Sequence, residues 1–116
     1  MPRSPLERLQ HIRDECLYLT QRSASLKQTD FHSNEDLKRA FVRSLEIIGE
    51  ATKQIGTEFR ETHSDLPWRL MTGMRDRLIH DYGGVDHEIV WQTVKENVPD
   101  LLAKVEHILN TERRDA

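Results

Sequence analysis

The sequence predicts an all-α fold, an antiparallel bundle of four main helices plus a short fifth. Three observations predict it. Apolar residues recur at steps of three and four, the spacing that lines one face of a helix. The strict alternation of a half-buried strand is absent. Only five glycines and four prolines punctuate 116 residues. A chain of this length is read as one domain spanning residues 1–116, and folding at this size buries roughly two-thirds of the unfolded surface.

Each helix has its own justification. Leu6, Leu9, Ile12, Cys16 and Leu19 make the stripe of a first helix over residues 5–26, with Ser4 as N-cap and Pro5 in the first turn. Residues 27–33 read as a polar connection. Ser33 starts the second helix, and Ser33 with Asp36 approximates a capping box. Its stripe is Leu37, Phe41, Ser44, Leu45, Ile48, Ala51 and Ile55. Gly49 lowers helix propensity there and lets another helix approach closely. A third helix runs from near Asp65 to Tyr82, with Pro67 close to its start. It carries Trp68, Met71, Met74, Arg75 and Leu78, and Gly83-Gly84 stops it. Asp86 caps a fourth helix that turns Ile89, Val90, Trp91 and Val94 inward. Pro99 opens the fifth, with Leu101, Leu102, Val105, Ile108 and Leu109; residues 111–116 form a polar, frayed tail.

Composition narrows the function. Hydrophobic residues are 36% and charged residues 32%, too apolar and too periodic for a disordered chain. The formal net charge of −3 argues mildly against nucleic acid as a partner but leaves room for a local basic cleft. Cys16 is the single cysteine, so no intramolecular disulfide forms. No segment approaches the ~20 apolar residues of a membrane span, and the first residues lack an apolar leader. The expected location is the cytoplasm.

Several constellations carry no chemistry. The six histidines include no pair at HxxxH spacing and no HExxH, so no metal site is expected, and no cofactor. Cys16 lies on the apolar stripe of the first helix and reads as a buried small hydrophobe. There is no P-loop and no dinucleotide-binding glycine pattern.

The stretch Met74-Arg75-Asp76-Arg77-Leu78-Ile79-His80-Asp81-Tyr82-Gly83 differs from the rest. Arg75, Arg77, His80 and Tyr82 are all able to engage a phosphate. One reading is a solvated helix end, with His80 stabilised by the helix dipole. The other is a catalytic site. Asp76 and His80 stand four apart, on one face of a helix, so Asp76 would hold one imidazole nitrogen and free the other for proton transfer. Arg75 and His80 stand five apart, about 140° around an ideal helix. They converge only if the helix ends near His80 or if two chains pair across this face. The residue types suit RNA cleavage by its own 2′-hydroxyl: histidine supplies a base near neutral pH and arginine a fixed fork for the phosphorane. A homodimer would double both in one cleft. Glu50 beside Gly49 is either an exposed glutamate, a buried partner of an arginine, or an anchor for Arg75 or Arg77.

These residues resemble a known family. Arg75-x4-His80-x-Tyr82 matches the Rx4HxY signature of HepT-type toxins of the HEPN superfamily. Leu45-Glu46-Ile47-Ile48-Gly49-Glu50-Ala51, Leu66-Pro67-Trp68 and Val85-Asp86 with Ile89-Val90-Trp91 resemble the segments around it, so the similarity covers most of residues 37–105. The resemblance implies a HEPN-like bundle and a metal-independent endoribonuclease that acts as a dimer, the toxin of a type VII toxin–antitoxin system. It implies Arg75 and His80 as the catalytic pair, and Asp76 fits the wider HEPN pattern; beside the resemblance, Asp76, Arg77, Tyr82 and Glu50 are read as supporting residues. It also implies a minimal nucleotidyltransferase antitoxin that adds AMP to Tyr82, placing negative charge and bulk beside an anion-binding cleft. The RNA would be messenger or transfer RNA. The acidic total charge and the imperfect Arg75–His80 spacing keep a second reading open, a non-catalytic nucleotide- or protein-binding module. A third is a purely structural bundle.

Overall fold

The computed structural model describes the backbone of residues 4–80 and 84–115, and side chains over 4–78 and 84–112. The all-α fold expected from the periodicity is the fold observed. Its elements are α1 (Pro5–Ala24), α2 (Gln28–His32), α3 (Glu35–Lys53), α4 (Thr57–Thr62), α5 (Trp68–Thr72) and α6 (Met74–Leu78). A minimal hairpin follows, β1 (Ile79–His80) with β2 (Gly84–Val85). Then come α7 (His87–Gln92), a π-helical turn (Thr93–Asn97) and α8 (Val98–Asp115). None of these helices is long and apolar enough to cross a membrane.

The start of α1 is built as expected: Pro5 occupies the first turn and Ser4 Oγ accepts from the Glu7 N–H at 3.2 Å. The helix buries Leu9, Ile12, Cys16 and Leu19 completely and packs against both α3 and α8. On α3 the buried stripe is Leu37, Phe41, Leu45 and Ile48, with Ser44 donating to Glu15 Oε1 of α1 at 2.8 Å. A single core results, filled from the far side by Val90, Val94, Val98, Leu101 and Val105.

The connection between α1 and α3 is not merely polar. Residues 28–32 form α2, and Phe31 is fully buried, its ring 5.1 Å from Phe41 and 5.3 Å from Trp91. The expected start at Ser33 is corrected by one residue. Asn34 is the N-cap of α3, its side chain accepting from Leu37 N–H at 3.1 Å, and Ser33 is instead the C-cap of α2. The helix ends at Lys53, short of Ile55, and a further helix, α4, follows.

The third helix is not continuous over 65–82. It is α5 and α6, separated at Gly73, whose N–H bonds back to Arg69 and Met71. A Cβ at Gly73 would lie 3.1 Å from the Arg69 carbonyl, so glycine suits the tight junction. Nor does Gly83-Gly84 stop a helix. The helix ends at Leu78, and Gly84, at φ +72°, belongs to the hairpin strand that pairs with His80.

The fourth and fifth helices are one helical run over 87–115. Asp86 caps it as expected, Oδ1 accepting from Ile89 N–H at 3.2 Å. Pro99 does not open a new helix. Its ring would crowd the carbonyl of Lys95 and it has no N–H to give. The π turn absorbs this mismatch: the Val98 N–H reaches back five residues to the Thr93 carbonyl. The tail expected to fray is helical to Asp115.

Candidate active site

The signature residues sit where α6 hands over to the hairpin. Met74 and Leu78, one turn apart, are buried and fix α6 to the core. The three residues between them, Arg75, Asp76 and Arg77, are therefore turned to solvent, and all three are exposed. Arg75 is more than half exposed, at 59% of its side chain, so an anionic ligand can reach it without displacing protein.

The handover is set by backbone bonds. In a continuing helix the Leu78 carbonyl would accept from residue 82. Here it accepts from the Asp86 N–H at 2.7 Å. Ile79 then pairs with Val85 and His80 with Gly84, antiparallel. Asp86 thus closes the hairpin through its N–H and starts α7 through its carboxylate. The backbone of His80 is extended, so the helix-face relation of Asp76 to His80 and the 140° separation of Arg75 from His80 do not apply. The condition set from the sequence, that the helix end near His80, is met two residues earlier at Leu78. The side chain of His80 and the whole of Tyr82 lie outside the described residues.

The approach of α3 explains what stands beside Arg75. Gly49 is buried where α3 meets α5, and a Cβ built on it would lie 3.4 Å from the Met71 carbonyl. The close approach expected at this glycine is what the structure has. It brings the middle of α3 against α6 as well. Glu46 Oε2 lies 3.9 Å from Arg75 Nε, an ion pair rather than a hydrogen bond. Of the readings open for Glu50, the exposed glutamate is the one the structure shows. It is exposed and lies 3.5 Å from Arg43 Nη1 of its own helix. Glu46 interrupts the same apolar segment one turn earlier and carries the same sequence signal; the choice between the two depends on where α6 crosses α3.

The two cavities described lie elsewhere. One of about 390 Å³ is lined by Pro5, Phe59, Thr62, His63 and Glu112, and one of about 150 Å³ by His63, Asp65 and His107. No signature residue lines either. His63 Nε2 is 3.1 Å from Glu112 Oε1, and its ring packs 4.4 Å from Phe59. Cys16 is buried, and burial pushes its thiol pKa up to about 12, which removes it as a nucleophile. His87, in the first turn of α7, is held below the usual histidine range, first by burial and then by Lys38.

Comparison with known proteins gives the family of the chain. The family model described as "Ribonuclease HepT-like" matches residues 8–108. A candidate RNase of Caldanaerobacter subterraneus subsp. tengcongensis is 47% identical over 111 residues, covering 96% of this chain and 99% of that one. A candidate ribonuclease HepT of Thermococcus cleftensis is 40% identical over 108 residues, covering 93% and 98%. A candidate RNase of Methanocaldococcus jannaschii is 44% identical over 77 residues, covering 66% and 71%. No solved structure matches the chain. The matched region contains all of α3, α5, α6 and the hairpin, and by it the chain belongs to the HepT-like ribonuclease family.

Proposed function

We propose that this chain is a metal-independent endoribonuclease and the toxin of a toxin–antitoxin pair. One observation carries the reading. Arg75 stands exposed on a helix that ends at Leu78, two residues before an extended His80, within a complete Rx4HxY element. In the proposed reaction His80 takes the proton of the RNA 2′-hydroxyl. The 2′-oxygen attacks the adjacent phosphorus, the bond from phosphorus to the 5′-oxygen breaks, and a proton passes to that oxygen. Arg75 holds the non-bridging phosphate oxygens, where charge grows in the transition state. Arg77 adds positive potential beside it, and Asp76 tempers the field between the two arginines.

The described signature residues Arg75, Asp76 and Arg77 are exposed, which leaves room for a second copy to complete the cleft. In a homodimer Arg75 of one copy would act on the same phosphate as His80 of the other. Tyr82 is the proposed switch. Its hydroxyl attacks the α-phosphorus of ATP on a nucleotidyltransferase antitoxin, pyrophosphate leaves, and the AMP adds negative charge where RNA must bind.

The test is cleavage of bulk transfer RNA and of a mixed-sequence messenger RNA by the purified chain. Wild type is expected to cleave one of them in the presence of a chelator. His80→Ala and Arg75→Ala are each expected to lose about 10²-fold or more in rate, the usual worth of a general base or an oxyanion donor. Binding without cleavage, unchanged in His80→Ala, would favour a non-catalytic binding module instead.

A further inference from the structure

Glu46 lies on α3 between the buried Leu45 and Ile48, its side chain about a quarter exposed. Its position is rigid because Leu45, Ile48 and Gly49 around it are buried. The atom it faces is Arg75 Nε, at 3.9 Å. An arginine held from its Nε side keeps its two terminal nitrogens for a bidentate grip on phosphate. Resting on the ribonuclease reading above, we propose that Glu46 is the positioning residue of Arg75. It turns the guanidinium so that the terminal pair faces the scissile phosphate, and it lowers the rotational freedom that a long exposed side chain otherwise keeps.

The position has a cost that supplies the test. A carboxylate this close to an anion-binding arginine also repels RNA. Removing its charge therefore acts in opposite senses on the two kinetic constants: substrate binds more readily, but the clamp is less well aimed in the transition state. A residue with a merely structural role would lower apparent kcat through loss of folded protein, together with the melting temperature, and leave KM unchanged.

Three forms are compared on the RNA that wild type cleaves: wild type, Glu46→Asp and Glu46→Gln. The pair is partly exposed, so the effect is moderate: kcat in Glu46→Gln falls about two- to fivefold. KM falls as well, and the melting temperature stays at the wild-type value. Glu46→Asp keeps the charge on a shorter arm, so its kcat is intermediate and its KM is that of wild type. An unchanged kcat in Glu46→Gln, with His80→Ala inactive in the same assay, overturns the role of Glu46 and leaves the ribonuclease reading standing. A fall in kcat with a rise in KM, or with a lowered melting temperature, also overturns it. Absence of cleavage by wild type overturns the ribonuclease reading, and this role with it.

Discussion

Phe31 shows how a single residue escapes a periodicity argument. It stands alone among polar neighbours, Gln28, Thr29, Asp30 and His32, so no stripe marks it. Its burial is decided by partners distant in sequence, Phe41 on α3 and Trp91 on α7. Phe31→Ala removes a fully buried ring that joins three helices, and we expect a loss of about 3–5 kcal/mol, read from the urea midpoint at constant slope. A loss below about 1 kcal/mol would mean that the site collapses freely or that the ring is not held there. Cys16, by contrast, was legible: it lies on the stripe of α1 and is buried. With its thiol pKa near 12, the native protein at pH 8 is expected to react with a disulfide reagent only as fast as it unfolds. Fast labelling of the folded chain would contradict the packing of α1 on α3. The choice of Glu46 over Glu50 as neighbour of Arg75 was illegible for a different reason. The two are one turn apart on the same helix, and only the crossing of α6 separates them.

Among the elements, the caps and the glycine of close approach were readable because they depend on local chemistry. Ser4 and Asp86 bond their own helices within three residues, and Gly49 needs only the absence of a Cβ. The breaks were not readable, because each is settled at a distance. Leu78 ends α6 because its carbonyl is taken by Asp86, eight residues on, and the run past Pro99 survives because the π turn re-pairs Val98 with Thr93. The start of α7 carries a pH dependence of its own. His87 is kept neutral by burial and by Lys38, so its folded pKa lies below the ordinary 6.5. Between the two values the unfolded chain binds more protons than the folded one. The stability that a neutral His87 contributes is therefore full above pH 6.5 and is lost as pH falls from there toward the folded value. His87→Gln should flatten the fall in melting temperature between pH 7 and pH 5 relative to wild type. An identical slope in the two proteins would show that His87 titrates as it does in the unfolded chain.

The whole molecule is where the proposed chemistry makes its strongest demand. One chain folds into a single core with Arg75 exposed, while Arg75 and His80 must both act on one phosphate. The family signature in the sequence names the residues but not how many chains supply them, because a symmetric dimer repeats every motif without altering it. Mixing two inactive variants decides this. If Arg75 of one chain works with His80 of the other, a dimer of one Arg75→Ala chain and one His80→Ala chain has one site with both groups intact and one with neither. Co-refolded at equal amounts, half the dimers are mixed, and activity returns to about a quarter of wild type. If Arg75 and His80 act within one chain, every mixed dimer carries one defect in each site, and no activity returns. The measurement is the rate of RNA cleavage by the co-refolded sample against each variant refolded alone. Dimer formation is checked by sedimentation, so that a silent mixture is not mistaken for two chains that never met. Recovery would also account for how a chain of net charge −3 grips a polyanion: the pairing gathers the arginines of both copies on one side, and the acidic surplus lies elsewhere.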